Sequence, residues 1–144
     1  LSIKIKKPII AAGGIGDTKG IRAAFELGAS GVQIGTAFLA CEESGASNEY
    51  RDILFSERAN YTSLTNSFTG RLARGITGTI AEELPNSVDV LPFPFQTTFM
   101  SPLRKAAIEQ GRMDMLTFWA GQSAHLIKHR NVPALMKELT NIFR

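Results

Sequence analysis

The chain has 144 residues, of which 44% are hydrophobic and 20% charged, a composition typical of one ordinary globular domain. Its net charge of +3 is spread along the sequence, which argues against nucleic-acid binding, and it has no run of about 18 apolar residues that would indicate a membrane helix. Its one cysteine, Cys41, excludes an internal disulfide and fits a reducing, cytoplasmic compartment.

The first 47 residues predict one β-α-β unit. Its elements are a strand at 3–12, a helix at 18–27 and a strand at 31–35. The first strand ends in the apolar run Ile9–Ala12, a pattern typical of a parallel strand buried on both faces. We expect Asp17 or Thr18 to cap the helix at its start and Gly28 to cap its end.

The pattern changes after Thr36, and residues 48–144 predict a mostly helical C-terminal region. The remaining predicted elements are a short helix at 37–43, a helix at 49–58, a short strand at 61–68, a glycine-rich loop at 70–78, an extended proline-containing segment at 84–95, and helices at 102–110, 114–129 and 133–143.

Glycine turns follow both predicted parallel strands, Gly13-Gly14 after the first and Gly35-Thr36 after the second. Parallel strands end at the same edge of a sheet, so the backbone N–H groups of both turns can approach one anion, and Thr36 adds a hydroxyl donor. Glycine also ends strands in many α/β proteins, but two such turns one β-α unit apart favour a phosphate site.

A Rossmann dinucleotide turn is a weaker interpretation of the same glycines. The last glycine of Gly14-Ile-Gly-Asp-Thr-Lys-Gly20 comes one residue too late for that motif. The second strand also ends in Gly-Thr rather than in the acidic residue that would hold a ribose.

The sequence resembles the nitronate monooxygenase family, formerly called 2-nitropropane dioxygenases, over nearly its whole length. The blocks that carry the resemblance are Pro8-Ile-Ile-Ala-Ala-Gly-Gly-Ile-Gly-Asp, Ala23 to Ser44, Phe68-Thr-Gly-Arg-Leu-Ala-Arg-Gly, Leu91-Pro-Phe-Pro and Phe118-Trp-Ala-Gly-Gln. Other phosphate-binding barrels share the first block, whereas the later blocks are more specific.

The resemblance implies an α/β fold, the last two strands of a (β/α)8 TIM-type barrel followed by a mostly helical region. It implies a flavoprotein that binds FMN and oxidises alkyl nitronates with molecular oxygen. The matching cofactor-binding positions are Gly13, Gly14, Gln33, Ile34, Gly35 and Thr36. Ala37 stands where many members carry arginine, so one cationic contact is missing.

The resemblance also implies that the chain is a fragment, since a full barrel takes about 250 residues. The chain begins with Leu1 rather than Met, and the family's catalytic histidine and most of its flavin pocket lie upstream of the matching region. No residue here is assigned a catalytic role. Two barrel strands leave open edges, for which we expect the missing barrel half or another copy of the chain as partner.

Three alternatives to a nitronate monooxygenase stay open. A relative of flavin-dependent enoyl-acyl-carrier-protein reductase fits the same blocks and would require a nicotinamide. An inosine-monophosphate dehydrogenase relative has similar phosphate turns, but the later blocks speak against it. The non-enzyme alternative is an inactive, truncated chain.

Several other residues have both a structural and a functional interpretation. His125 and His129 are four apart on the predicted helix at 114–129, but with no third ligand nearby a metal site is not expected. Cys41 is expected to be a buried core residue rather than a reactive thiol. Arg71 and Arg74 could contact a ligand or partner, or form surface salt bridges. Phe93, Phe95 and Phe99 could line a substrate pocket or cover the core. The block around Phe118 could pack as a helix, or bring Gly121 to the upper face of the barrel.

Overall fold

The computed structural model describes residues 6–84 and 89–143, which have a mixed α/β structure. They divide into two units, one formed by the chain up to Ala59 and from Gly121 onward, the other by Asn60–Ala120. The longest helices have nine residues, and no helix among the described residues is long and apolar enough to cross a membrane.

Four strands and seven α-helices are present in the described residues. In chain order they are β1 (Ile10–Ala12), α1 (Thr18–Glu26), β2 (Gly31–Gln33), α2 (Thr36–Leu39), α3 (Asn48–Leu54), β3 (Thr62–Thr65), β4 (Ala73–Ile76), α4 (Thr79–Glu83), α5 (Phe95–Phe99), α6 (Ser101–Glu109) and α7 (Val132–Leu139). Short 3-10 helices lie at Glu57–Asn60, Met113–Met115, Ala124–Leu126 and Thr140–Phe143.

The first unit begins with the predicted β-α-β arrangement. Strands β1 and β2 pair in parallel, with Ala12 opposite Gln33 at the last register position. The Asp17 carboxylate accepts the N–H of Gly20 at 2.8 Å and caps α1, as predicted. Gly28 follows the helix with φ at +91°, in the left-handed region where glycine is favoured. Of the strand predicted at 3–12, residues 3–5 lie outside the described residues, and the observed strand begins only at Ile10.

The apolar run of the first strand predicts burial on both faces, and this expectation is wrong. Ile10 is 58% exposed, and Ala12 is also exposed. On the other strand, Val32 packs against the hydrophobic core, which includes Ile21 of α1. The described sheet has only two strands, and the hydrophobic core packs against Val32 of β2. Apolar residues of β1, such as Ile10, are left facing outward.

The core of the first unit joins its two ends. Ile21 of α1 and Ala37 of α2 cluster with Cys41 and with the α7 residues Leu135 and Leu139. Two capping contacts fix the start of α7 against this core. The Asn131 side chain accepts the N–H of Ala134 at 2.9 Å, and the Glu43 carboxylate accepts that of Val132 at 3.0 Å. Glu43 and Val132, 89 positions apart, are thus joined through a backbone N–H that the start of a helix leaves unpaired.

The second unit is built on an antiparallel hairpin rather than on helices alone. Thr62 pairs with Ile76 and Thr65 with Ala73, so β3 confirms the predicted strand, whereas the predicted loop at 70–78 is wrong because it contains β4. Helix α6 confirms the prediction at 102–110 within one residue.

The predicted helix at 114–129 is also wrong. Trp119 forms a β-bridge with Gly75, and the N–H of Ile76 donates to the carbonyl of Phe118 at 2.8 Å. Pairing with β4 holds this segment extended, because the backbone groups that a helix would use internally are bonded to the hairpin.

Candidate functional site

The six predicted cofactor-binding residues lie at one edge of the β1–β2 pair. Both strands end at the register position that joins Ala12 to Gln33. The turn that follows β1 contains Gly13 and Gly14, and the segment that leaves β2 runs from Gln33 to Thr36. The parallel register therefore places both turns side by side, as the sequence predicts.

The first turn requires glycine at two successive positions. Gly13 and Gly14 have φ angles of +92° and +70°, both in the left-handed region, and both residues are exposed. A Cβ built on either would meet no atom within 4 Å. The turn thus presents bare backbone to open space.

The second turn combines a buried anchor with an open glycine. Ile34 is half-buried and packs against the core cluster, which fixes the end of β2. Gln33 and Gly35 are exposed, and a Cβ on Gly35 would also meet nothing within 4 Å. Thr36 begins α2 and is half-buried.

A third segment, distant in sequence, reaches the same place. The N–H of Gly121 donates to Oγ1 of Thr36 at 3.0 Å across 85 positions of sequence. Two residues on, Ser123 is 8% exposed, and its Oγ lies 3.1 Å from where a Cβ on Gly16 would stand. The sequence offers an approach of Gly121 as one of two alternatives, whereas nothing in it points to Ser123, because a single serine carries no recognisable pattern.

These turns fit a bound phosphate. A phosphate needs N–H or O–H donors from several directions and room for its oxygens. The space where side chains would stand on Gly13, Gly14 and Gly35 is open, and the Thr36 hydroxyl lies beside it. None of the six residues is acidic. The same edge therefore has the features of an anion-binding turn.

Cys41 is a core residue and not an exposed thiol. It is 0% exposed, and its Sγ donates to the carbonyl of Ala37 at 3.5 Å. Burial, with a smaller effect of the nearby Glu43 carboxylate, raises the pKa of the Cys41 thiol. The reactive thiolate is therefore disfavoured.

The three later sequence blocks meet in the second unit. The rings of Phe68 and Trp119 pack edge to face, with centroids 6.3 Å apart. Gly70 has φ at +79°, and a Cβ there would lie 2.2 Å from the carbonyl oxygen of Leu91. The Arg71 guanidinium lies 4.3 Å from the centroid of the Phe93 ring. The blocks therefore form one packed cluster.

The two arginines of this region make internal contacts. Arg71 stacks on Phe93, and Arg74 donates from Nη1 to the carbonyl of Thr62 at 2.9 Å. Neither is in an ion pair in the described part of the chain, so the surface salt bridging considered above is wrong. Phe95 and Phe99 are 64% and 68% exposed and do not cover the core.

His125 and His129 do not share a helix, contrary to the sequence-based expectation. His125 lies in a 3-10 helix, where Nδ1 is 3.2 Å from the carbonyl of Gln122, and His129 pairs with the Glu138 carboxylate. Among residues 6–84 and 89–143, no three His, Cys, Asp or Glu side chains gather as they would around a metal ion.

Comparison with protein families shows a match to the nitronate monooxygenase model over residues 4–141. A probable nitronate monooxygenase of Staphylococcus aureus strain Newman is 39% identical over 135 residues, which are 93% of this chain and 38% of that protein. One from Staphylococcus saprophyticus is 39% identical over 137 residues, 94% of this chain and 39% of its own length. The chain therefore spans about two fifths of the length of these curated relatives.

Solved structures show the same likeness in three dimensions. A nitroalkane oxidase from Streptomyces ansochromogenes has a TM-score of 0.81 and 33% identity, covering 94% of this chain and 39% of that one. FabK from Thermotoga maritima has a TM-score of 0.71 and 28% identity, covering 99% of this chain and 46% of that one.

Proposed function

Because the chain belongs to the nitronate monooxygenase family, we propose that it supplies the phosphate-binding corner of an FMN-dependent oxidoreductase that oxidises alkyl nitronates with molecular oxygen. The observation that carries this proposal is the pair of open glycine turns at one edge of the β1–β2 sheet. Strands β1 and β2 would be the last two strands of a (β/α)8 barrel, where such enzymes often bind phosphate.

Gly13, Gly14 and Gly35 would hold the FMN phosphate through backbone N–H groups, and Thr36 would do so through its hydroxyl. The open space on the glycines supports this assignment, since a phosphate oxygen approaches backbone N–H groups more closely where no Cβ intervenes. Gln33 and Ile34 would contribute backbone groups to the cofactor site, and Ile34 is held in place by packing against the core.

The bound flavin would supply the redox chemistry, accepting electrons from the nitronate and passing them to oxygen. The residues of this chain would hold and orient the cofactor. None of these residues is assigned a catalytic role, and the His129 ring is paired with the Glu138 carboxylate.

We propose a cytoplasmic protein whose β1–β2 sheet is completed by the remaining barrel strands or by a second copy of the chain. The outward-facing Ile10 and the short, two-stranded sheet support such a partner, because parallel sheets are normally buried on both faces.

Flavin titration of the purified chain tests the phosphate site. FMN and riboflavin differ only in the phosphate. Flavin fluorescence measured during titration with each gives two dissociation constants, and their ratio reports the contribution of the phosphate apart from that of the ring. We expect FMN to bind at least about tenfold more tightly than riboflavin, the effect of one charge-assisted hydrogen bond. Gly14→Ala, which adds a Cβ at a positive φ, should reduce that preference, and Gly45→Ala, at an open position with ordinary backbone, should preserve it.

Oxygen consumption with an alkyl nitronate by the FMN-loaded protein, its sheet completed by the remaining barrel strands or by a second copy, then tests the reaction. Turnover with nitronate and no nicotinamide would support the proposal, whereas turnover of an enoyl thioester with reduced nicotinamide would replace it with the reductase alternative. A colourless chain that takes up no FMN would overturn the cofactor assignment and favour an inactive chain.

A further inference from the structure

The contact between Gly121 and Thr36 limits what the threonine hydroxyl can do. A hydroxyl has one proton to donate and two lone pairs that accept. The N–H of Gly121, 3.0 Å from Oγ1, occupies one of the lone pairs. Within the described residues, Oγ1 makes no other hydrogen bond, so none of them accepts its proton.

Gly121 also keeps the space between the turns open. A Cβ on Gly121 would lie 3.5 Å from the backbone N of Gly14 and 3.5 Å from Oγ1 of Thr36. These are ordinary van der Waals distances, so alanine would fit without displacing either group. The added methyl would nevertheless occupy the space in front of both donors.

The segment that carries Gly121 is anchored and cannot simply move away. Ser123 is 8% exposed and Ala124 is 0% exposed. The Ser123 side chain fills the space beside Gly16, where a Cβ would approach its Oγ to 3.1 Å. The 121–124 segment is therefore packed against the turn that follows β1.

We propose that Gly121 is a positioning residue of the phosphate site. Its N–H orients the Thr36 hydroxyl so that the hydroxyl proton points to a phosphate oxygen, and its missing side chain leaves the N–H of Gly14 accessible. This inference rests on the proposed FMN site and adds a third segment to it, 85 positions from Thr36 in sequence. It assigns a physical role to the glycine of Phe118-Trp-Ala-Gly-Gln.

The test compares FMN with riboflavin in four variants, with thermal unfolding of the flavin-free chain as the readout of folding. Gly121→Ala should keep its melting temperature and its riboflavin affinity. It should bind FMN about tenfold more weakly, because the added methyl would block the charge-assisted hydrogen bond from the N–H of Gly14 or the hydroxyl of Thr36 to the phosphate. Thr36→Val should do the same, Thr36→Ser should retain wild-type FMN affinity because the hydroxyl remains, and Gly45→Ala is the control.

Different results would overturn different statements. Unchanged FMN affinity in Gly121→Ala, beside a wild type that prefers FMN, would overturn the inference and leave the proposed function intact. An equal loss of FMN and riboflavin affinity in Gly121→Ala would also overturn the inference, since the glycine would then be needed for folding and not for phosphate binding. A wild type with no preference for FMN over riboflavin would overturn the phosphate site itself.

Discussion

The side-chain amide of Gln96 donates a hydrogen bond to the backbone carbonyl of Ser67 at 2.6 Å. Its oxygen accepts the N–H of Leu91 at 3.0 Å, and the side chain is only 5% exposed. One buried amide thus joins the loop between β3 and β4 to the segment that leads into α5. Both of its bonds satisfy backbone groups that no strand or helix satisfies.

Replacing this amide should destabilise the second unit strongly. Gln96→Leu keeps the side-chain size but leaves a carbonyl and an N–H without partners, so we expect the free energy of unfolding to fall by about 2–3 kcal/mol. Urea denaturation followed by circular dichroism measures it. The exposed Thr98 on the same helix offers the control Thr98→Ala, and equal effects of the two changes would contradict the role given to Gln96.

Gly70 should be the glycine of the second unit least tolerant of a side chain. Its φ is +79°, and a Cβ would stand 2.2 Å from the Leu91 carbonyl oxygen and 2.8 Å from the Phe93 N, both backbone atoms. Gly111 has φ at +67° but open space around it. We expect Gly111→Ala to cost about 1 kcal/mol for the backbone strain alone, and Gly70→Ala several kcal/mol more.

Thermal unfolding of both variants separates steric overlap from backbone strain. If Gly70→Ala were as stable as Gly111→Ala, the close approach of residues 70 and 91 would be absent from the protein in solution. Gly45→Ala, which has neither strain nor neighbours within 4 Å, sets the baseline.

The sequence predicts those elements whose signals are local. The β-α-β unit follows from an apolar run, a capping Asp17 and glycines at the turns, all within about 30 residues. Strand β4 was missed because Arg74 and Gly75 give it no apolar alternation, and it forms through pairing with β3. The apolar spacing around Trp119 predicts a helix, whereas the backbone bonds that this segment makes to β4 depend on residues more than 40 positions away.

The candidate site divides in the same way. The glycines and Thr36 stand at strand ends, which a single sequence can reveal. The bond from Gly121 to Thr36 spans 85 positions, and the packing of Ser123 against Gly16 leaves no local pattern. Long-range contacts of small residues become visible only in three dimensions.

Cys41 should react slowly with thiol reagents in the folded chain. Its 0% exposure blocks access, and its raised pKa lowers the thiolate fraction at neutral pH, so both effects act in the same direction. Iodoacetamide labelling followed by mass spectrometry should proceed at least about tenfold faster in urea than in buffer. The variant Cys41→Ala controls for labelling at other side chains. Equal rates in buffer and urea would show that the α2 region opens readily.

The pair of Arg112 and Asp114 should make stability depend on pH in the acid range. The guanidinium donates to both carboxylate oxygens, at 2.9 and 2.8 Å, and the Thr79 hydroxyl donates at 2.9 Å. The bonds from Arg112 and Thr79 hold the pKa of the Asp114 carboxyl well below its usual range. A carboxyl with a lowered folded-state pKa stabilises the protein above its unfolded pKa of about 3.9, and that stabilisation is lost as the pH falls toward the folded-state value.

Asp114→Asn removes the titrating group, so the stability difference between it and the wild type should be constant above about pH 5 and should shrink below about pH 4. The pair is exposed, so the difference should also shrink in high salt. Thr79→Val keeps the arginine contacts and should retain most of the pH dependence. Urea denaturation at several pH values measures these differences, and identical pH profiles for Asp114→Asn and the wild type would show that the carboxylate is not held by Arg112 in solution.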